Sequence, residues 1–266
     1  MQETIGILGG TGWLGLALGL RSLTQGVVTA GQLVVANRRG PTSDYDAWPG
    51  VTWARNLGEL AERSDIVVLS VRPEDYAAQK APAFAGIVVS FMAGVPLAHL
   101  ERNWPDARIV RAMPGGGARE GNAHVPICAA DGIADADLDL VERLLSVIGT
   151  VDRVANEHEL AFLTALSGSG AAYPALMAKA MYDRGVAEGI TPEVVWRAVT
   201  SVVCDAPSLL RGSPAEASHM LETLEGYRGP TAAGIEAARL AGLGKAIGSA
   251  LDAATKRAET MRPGEK

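Results

Sequence analysis

The stretch Ile5-Gly6-Ile7-Leu8-Gly9-Gly10-Thr11-Gly12-Trp13-Leu14-Gly15 constrains the fold more than any other part of the chain. An apolar run, a glycine turn and the start of a helical pattern follow one another without a spacer, as at the opening of a dinucleotide-binding βαβ unit. Gly10, Gly12 and Gly15 fit G-x-G-x-x-G, while Gly9, Gly12 and Gly15 fit G-x-x-G-x-x-G, so two registers one residue apart are open. In either register the absent Cβ atoms let the backbone approach a pyrophosphate, and the free N–H groups and dipole of the helix start favour its charge. Gly10, Thr11, Gly12, Trp13 and Leu14 would form that cradle. On this motif alone, a tight turn with no ligand is the competing reading.

From Trp13 to about Leu23 apolar residues recur at helical spacing, Gly26 stops the helix, and residues 32–37 read as a second strand. Where a NAD-binding unit carries an acidic residue for the ribose hydroxyls, this chain carries Asn37-Arg38-Arg39. A carboxylate would repel a 2′-phosphate and two guanidiniums would clamp it, which points to NADPH rather than NADH. Two solvated arginines at a strand exit are the alternative, against which stands their distance from the glycine turn.

The polar segment 41–49 predicts a loop, 51–54 a short strand and 57–63 a short helix. The runs 65–71, 87–91 and 108–113 are nearly continuous in apolar residues, as in parallel strands buried on both faces. At their carboxyl ends, where open α/β sheets bind ligands, stand Arg72-Pro73, Ala93-Gly94 and Pro114-Gly115-Gly116-Gly117. Val71, Arg72, Pro73, Ala93, Gly94 and Pro114 are therefore the residues expected beside a cofactor. A helix over 135–148 and a strand over 151–154 close this half.

Beyond Asn156 strand-like runs give way to helical ones. The spacing predicts a helix from Asn156 or Glu159 toward Leu166, a break at Ser167-Gly168-Ser169-Gly170, and a helix over 171–188. Thr191 as N-cap and Pro192 at the first helical position begin the next, which runs to about Arg211. Final helices are expected over 214–224, 231–241 and 245–261. The expected class is α/β: an N-terminal Rossmann doubly wound parallel sheet over 1–154 and a C-terminal all-α domain over 155–266.

The chain has 266 residues, 48% hydrophobic and 20% charged, enough for two soluble globular domains. A net charge of -6 brings no basic excess, which argues against nucleic acid as a partner. Cys128 and Cys204 lie far apart in no metal-like spacing and read as reduced packing thiols. No leader pattern and no apolar run of about 18 residues is read, so the expectation is a cytoplasmic chain with no membrane insertion. His99, His124, His158 and His219 are scattered, which predicts no metal site and surface or capping roles. Ser167 and Ser169 look like a nucleophile motif, yet no His/Asp pattern accompanies them. Asp65, at the start of its strand, reads as structural, and Asp183, inside an alanine-rich helix, as solvent-facing. The alanine-rich apolar helices call for cover, and a homodimer through them, or a higher oligomer, is expected.

Several segments, in order and spacing, carry a resemblance: the glycine turn, Asn37-Arg38, Val71-Arg72-Pro73, Ala93-Gly94, Arg111-Ala112-Met113-Pro114, Ser167-Gly168-Ser169-Gly170-Ala171-Ala172-Tyr173, the stretch 183–189 and Thr231-Ala232-Ala233-Gly234. The chain resembles the pyrroline-5-carboxylate reductases nearly end to end. The resemblance implies a Rossmann domain joined to a helical dimerisation domain and the reduction of a cyclic imine acid to proline with NAD(P)H.

Two departures bear on the substrate. Gly115-Gly116-Gly117 replaces the family's Asn-Thr-Pro, removing polar side chains and promising a more flexible loop. Gly226-Tyr227-Arg228-Gly229-Pro230-Thr231 replaces its Ser-Pro-Gly-Gly-Thr-Thr loop; Gly226 has no hydroxyl and Pro230 no N–H, so the usual carboxylate cradle is not intact. By resemblance Thr231 falls where a threonine hydroxyl bonds the imine nitrogen, and Ser167 lines the active site. Thr231 is equally well placed as a helix N-cap. Arg228 could take the carboxylate bidentately or simply be an exposed loop residue. Tyr227 could bound the pocket or supply a proton. Thr231, Ser167 and Tyr227 are thus the catalytic candidates, and Arg228, Gly229 and Met113 the substrate-binding ones. The competing functions are a reductase of another imine or a carbonyl on the same scaffold, and a non-catalytic NADP-binding protein.

Overall fold

In the computed structural model, residues 1–77, 79–210 and 212–261 are described. The chain runs β1 (Ile5–Leu8), α1 (Trp13–Thr24), β2 (Leu33–Ala36), β3 (Thr52–Trp53), α2 (Leu57–Glu62), β4 (Ile66–Leu69), α3 (Pro73–Ala77), β5 (Ile87–Ser90), α4 (Leu97–Asn103), β6 (Arg108–Ala112), β7 (Ala123–Ala129), α5 (Asp135–Leu145) and β8 (Gly149–Arg153). Then follow α6 (Glu157–Leu163), α7 (Ala172–Ala187), α8 (Pro192–Thr200), α9 (Pro214–Gly226), α10 (Pro230–Leu240) and α11 (Leu243–Thr260).

The strands form one sheet in the order β3-β2-β1-β4-β5-β6-β7-β8. The pairs from β3 to β6 are parallel, with Ile5 beside both Leu33 and Ile66. The doubly wound parallel sheet expected from the strand runs is present, with one antiparallel pair: β7 runs antiparallel to β6, with Arg111 beside Cys128. A short turn after β6 carries no helix long enough for a crossover, so the chain reverses instead. Every residue of β1, β2, β4 and β5 is buried. Alternate side chains feed separate cores, Ile66 and Val68 on one face and Val67 and Leu69 on the other, which is why these strands read as unbroken apolar runs. Asp65 is structural, its carboxylate accepting the Thr4 N–H at 2.8 Å.

Contacts divide the chain into two compact units: Met1–Ser169 joined by the chain from Asp252, and Gly170–Leu251. The first contains the sheet and its cores. The second is helical, with Ala178, Val195 and Val199 as a small buried cluster and an edge-to-face contact between Tyr182 and Trp196. Asp183 pairs with Lys179 at the surface.

Helix starts were legible and helix ends less so. Asn156 caps α6 by accepting the Glu159 N–H at 2.9 Å, and Pro192 opens α8 after Thr191. Regular helix ends at Thr200 and gives way to wider and tighter turns through Leu210, because Pro207 has no N–H to continue the ladder. The expected end at Arg211 lies outside the described residues. The break expected at Ser-Gly-Ser-Gly is present: a wide helical turn, Thr164–Gly168, runs into turn residues 169–171 before α7 begins. Taken as one stretch, Glu157–Ala187 is long and apolar enough to cross a membrane by length and composition, contrary to the reading that no such run exists. Cys204 also differs from expectation: Cys128 is buried, whereas Cys204 is exposed in this chain and packs no core.

Candidate functional site

The glycine turn opens directly from β1. Gly9 has φ +82°, a left-handed conformation open to glycine, and a Cβ there would overlap the Ser70 carbonyl. A Cβ on Gly15 would overlap the Gly9 carbonyl, and one on Gly12 would lie 3.2 Å from it. The G-x-x-G-x-x-G register is therefore the structural one: Gly9 makes the turn, Gly12 is the N-cap of α1 and Gly15 lets the helix press on the turn. Gly10 is also required, since its Cβ would meet Val35 Cγ1 at 2.7 Å. Tyr45 locks the turn from outside by donating its hydroxyl to the Gly10 carbonyl at 2.7 Å, and burial raises its phenol well above the ordinary range. No side chain caps α1, so the head of this helix keeps N–H groups for an anion.

At the exit of β2, Asn37 donates to Thr11 Oγ at 2.9 Å and accepts the Arg39 N–H, which ties the strand end to the glycine turn. Arg38 and Arg39 are exposed, and Arg38 is paired with Asp75 at 2.9 Å. That carboxylate holds the guanidinium beside the turn while competing with any phosphate for it. Trp13 is 71% exposed at the head of α1.

An opening of about 600 Å³ lies at the carboxyl ends of β5 and β6, lined by Ala93, Gly94, Arg111, Met113, Glu157 and Met261 among others. Gly94 has φ +71°, and a Cβ there would lie 2.6 Å from the Met261 carbonyl. Arg111 is buried and its charge is met by Glu157 at 2.6 Å, whose same oxygen accepts the Leu97 N–H at 2.9 Å. Its Nε has no partner. Met113 packs with Cys128 and Leu160, and burial, with the Glu157 charge behind it, pushes the Cys128 thiol upward.

The Gly115-Gly116-Gly117 segment is explained by contact rather than freedom. A Cβ on Gly115 would lie 2.8 Å from the Ser167 carbonyl, and one on Gly117 would lie 3.0 Å from the Asn122 carbonyl. The expectation of a flexible loop gives way to a closely packed turn, with Gly115 N–H donating to the His124 carbonyl at 3.0 Å.

Ser167 is the residue for which the sequence reading was most incomplete. His124 Nδ1 lies 2.8 Å from Ser167 Oγ, and His124 Nε2 lies 3.0 Å from Asp152 Oδ2. The reading that no His/Asp pattern accompanies Ser167, and that His124 is a surface or capping residue, is corrected. His124 and Asp152 are brought together by the parallel ladder of β7 and β8, in which His124 faces Thr150 and Pro126 faces Asp152. They are diagonal neighbours on one face. No sequence spacing encodes that pairing. His158 meets Glu259, His99 meets Asn103, and no cluster among the described residues could hold a metal.

The second unit carries the other candidates at the α9–α10 junction. Gly226 is the last residue of α9, and Arg228 adopts φ +50° with its N–H on the Glu225 carbonyl at 3.1 Å. Arg228 thus occupies the left-handed position that commonly ends a helix. Gly229 is the N-cap of α10 and Pro230 its first residue, so Thr231 lies inside the first turn and is not the cap. Thr231, Arg228 and Tyr227 are exposed, Tyr227 to 78%.

A doubly wound sheet, a glycine cradle and an uncapped helix head define the class: an α/β dinucleotide-binding protein with a helical second unit. Residues 157–261 match the family model "Pyrroline-5-carboxylate reductase dimerisation", and residues 4–94 match "NADP oxidoreductase coenzyme F420-dependent". The Pseudomonas aeruginosa pyrroline-5-carboxylate reductase is 30% identical over 76% of this chain and 77% of its own. That of Synechocystis is 27% identical over 98% of this chain and 99% of its own. The Plasmodium falciparum pyrroline carboxylate reductase with NADP bound has the same fold, with a TM-score of 0.80, 19% identity and 97% of each chain covered. The chain belongs to the pyrroline-5-carboxylate reductase family.

Proposed function

We propose that this protein reduces the C=N bond of 1-pyrroline-5-carboxylate to give proline, with NADPH as cofactor. Family membership supports the reaction, and the observation that carries the cofactor is the uncapped glycine cradle at the head of α1. That cradle fits a dinucleotide: a Cβ on Gly12 or Gly15 would crowd or collide with the Gly9 carbonyl, and one on Gly9 would overlap the Ser70 carbonyl. NADPH supplies the hydride when bound. Gly10, Thr11, Gly12, Trp13 and Leu14 would hold its pyrophosphate, Asn37, Arg38 and Arg39 its adenosine phosphate, and Val71, Arg72, Pro73, Ala93, Gly94 and Pro114 would bed the remainder.

Around the substrate, Met113 supplies an apolar wall, Gly229 a close backbone approach and Arg228 a cation for the carboxylate that the altered loop no longer cradles. Thr231, Ser167 and Tyr227 offer hydroxyls to the imine nitrogen. Residues 1–154 form the cofactor part and 155–266 the dimerisation and substrate part, in a cytoplasmic homodimer assembled through the C-terminal helices. Neither nucleic acid nor membrane is a partner in this reading, and the apolar run Glu157–Ala187 serves helix packing.

The test is steady-state oxidation of NADPH with 1-pyrroline-5-carboxylate beside 1-pyrroline, which lacks the carboxylate. Preference for the carboxylated ring supports the assignment; turnover of neither above background removes it. Arg228→Ala should weaken the carboxylated substrate by at least about 1 kcal/mol, as expected for a charge-assisted bond. Equal use of both rings would move the protein to another imine.

A further inference from the structure

We infer that Asp152, His124 and Ser167 form a proton relay that delivers the proton required by the substrate nitrogen, a role that rests on the imine-reductase reading above. Three observations join. His124 bridges the other two, at 2.8 Å to Ser167 Oγ and 3.0 Å to Asp152 Oδ2. The Ser167 hydroxyl donates to the Leu163 carbonyl at 2.9 Å, leaving its oxygen to accept from His124 Nδ1. Asp152 can only accept at Nε2. His124 is thus held between a carboxylate that accepts at Nε2 and a hydroxyl oxygen free to accept at Nδ1, the placement a relay needs.

The position suits that role. The His124 carbonyl takes the Gly115 N–H at 3.0 Å, and the Ser167 carbonyl lies 2.8 Å from where a Gly115 Cβ would stand. Ser167 is therefore packed directly against the turn that follows Met113 and Pro114, at the carboxyl end of β6. His124 keeps 31% of its side chain exposed and Asp152 60%, so the ring can recover a proton from water.

The same three residue types serve as a nucleophilic triad elsewhere, but this geometry does not favour that use. Ser167 stands within the helical turn Thr164–Gly168, whereas a nucleophile of this kind sits on a sharp strand-to-helix elbow. Reduction of an imine needs no nucleophile. When the carbon of C=N gains hydride, the Ser167 hydroxyl turns from the Leu163 carbonyl and the nitrogen lone pair takes its proton. The Nδ1–H bond of His124 breaks to restore the hydroxyl, and His124, neutral with its Nε2–H on Asp152, regains a proton from solvent. One proton is consumed per imine reduced. In this relay Ser167 is the group that meets the substrate nitrogen, and His124 and Asp152 act through it as positioning residues.

The experiment uses the full chain and its Ser167→Ala, His124→Ala and Asp152→Asn variants. Ser167→Ala and His124→Ala should each lower kcat with 1-pyrroline-5-carboxylate roughly a hundredfold, the usual range of one general-acid group, with KM little changed. The double variant should be no slower than the slower single, since groups acting as one unit are not additive. Added imidazole should restore His124→Ala and leave Ser167→Ala unaffected. In the protein without cofactor, the ¹⁵N signals of the His124 ring should move in both Ser167→Ala and Asp152→Asn. Wild-type kcat in His124→Ala, multiplicative losses in the double variant, or ring signals unmoved by Ser167→Ala would each overturn the relay. Hydrolysis of a p-nitrophenyl ester that Ser167→Ala abolishes would overturn it in favour of a nucleophile. Where His124→Ala does not fold, His124→Gln replaces it and should show the same loss of kcat. If the wild-type protein reduces no pyrroline, the functional reading fails, and the ring signals still decide whether the three residues are coupled.

Discussion

The two units of this chain solve the burial of apolar surface in opposite ways. In Met1–Ser169 the strands are covered on both faces, and side chains such as Leu18, Leu33, Leu60, Ile66 and Leu69 are fully buried. Among the described residues of Gly170–Leu251 the buried apolar ones are Ala178, Val195 and Val199, while Leu176, Met177, Val194, Trp196, Leu240 and Leu243 lie open. The first unit carries its own core. The second presents many large apolar side chains that a single chain leaves in water, as a unit that associates with a partner does. A parallel sheet cannot be half-built, because each strand needs helices on both sides; a helix can leave a stripe open for a partner.

The largest expected effect tests that contrast directly. Leu176→Lys with Met177→Lys should convert a homodimer to monomer in light scattering, since an unpaired charge buried at an interface typically costs about 3–5 kcal/mol. A dimer that persists at every concentration would show that a second copy does not cover this surface. Next in size, Leu69→Ala should destabilise urea unfolding by about 2–4 kcal/mol through lost transfer energy and a cavity. Leu240→Ala, at a side chain 82% exposed in the chain, should stay within about 0.5 kcal/mol. A loss at Leu240 as large as that at Leu69 would place the helix end inside an interface.

Arg38→Ala should weaken NADPH binding, followed by calorimetry, by about 1.5–3 kcal/mol while NADH binding changes little, as for a hydrogen bond to a charged group. Equal loss for both cofactors would assign Arg38 to its Asp75 pair alone. A smaller effect than at Arg38 belongs to Arg228→Gly. Relief of the left-handed backbone should raise stability by up to about 1 kcal/mol in thermal unfolding. Unchanged stability together with weaker binding of a carboxylated substrate would make the side chain, not the backbone, the reason for Arg228.

Much of the fold was legible because its signals are local. Apolar runs with glycine or proline at their ends mark strands of a parallel sheet, and Asn156 and Pro192 mark helix starts by chemistry confined to one turn. β7 escaped notice since its run, Ala123–Ala129, includes Pro126 and follows a glycine-rich turn. The role of Gly115 escaped for another reason: the atom that forbids its Cβ belongs to Ser167, more than fifty residues away in sequence.

By itself the sequence determined the class of fold, the glycine cradle, the arginines at the β2 exit and the family, all of which rest on residue types at short spacing. Tertiary structure decided the register of the glycine turn, because collision of Gly9 and Gly15 depends on how α1 returns over β1. It decided that Thr231 lies within α10 and that Arg228 takes a left-handed backbone. It also decided that Ser167 has a histidine and an aspartate beside it. Those neighbours come from two adjacent strands and a helical turn, and only the pairing of β7 with β8 brings them within bonding distance.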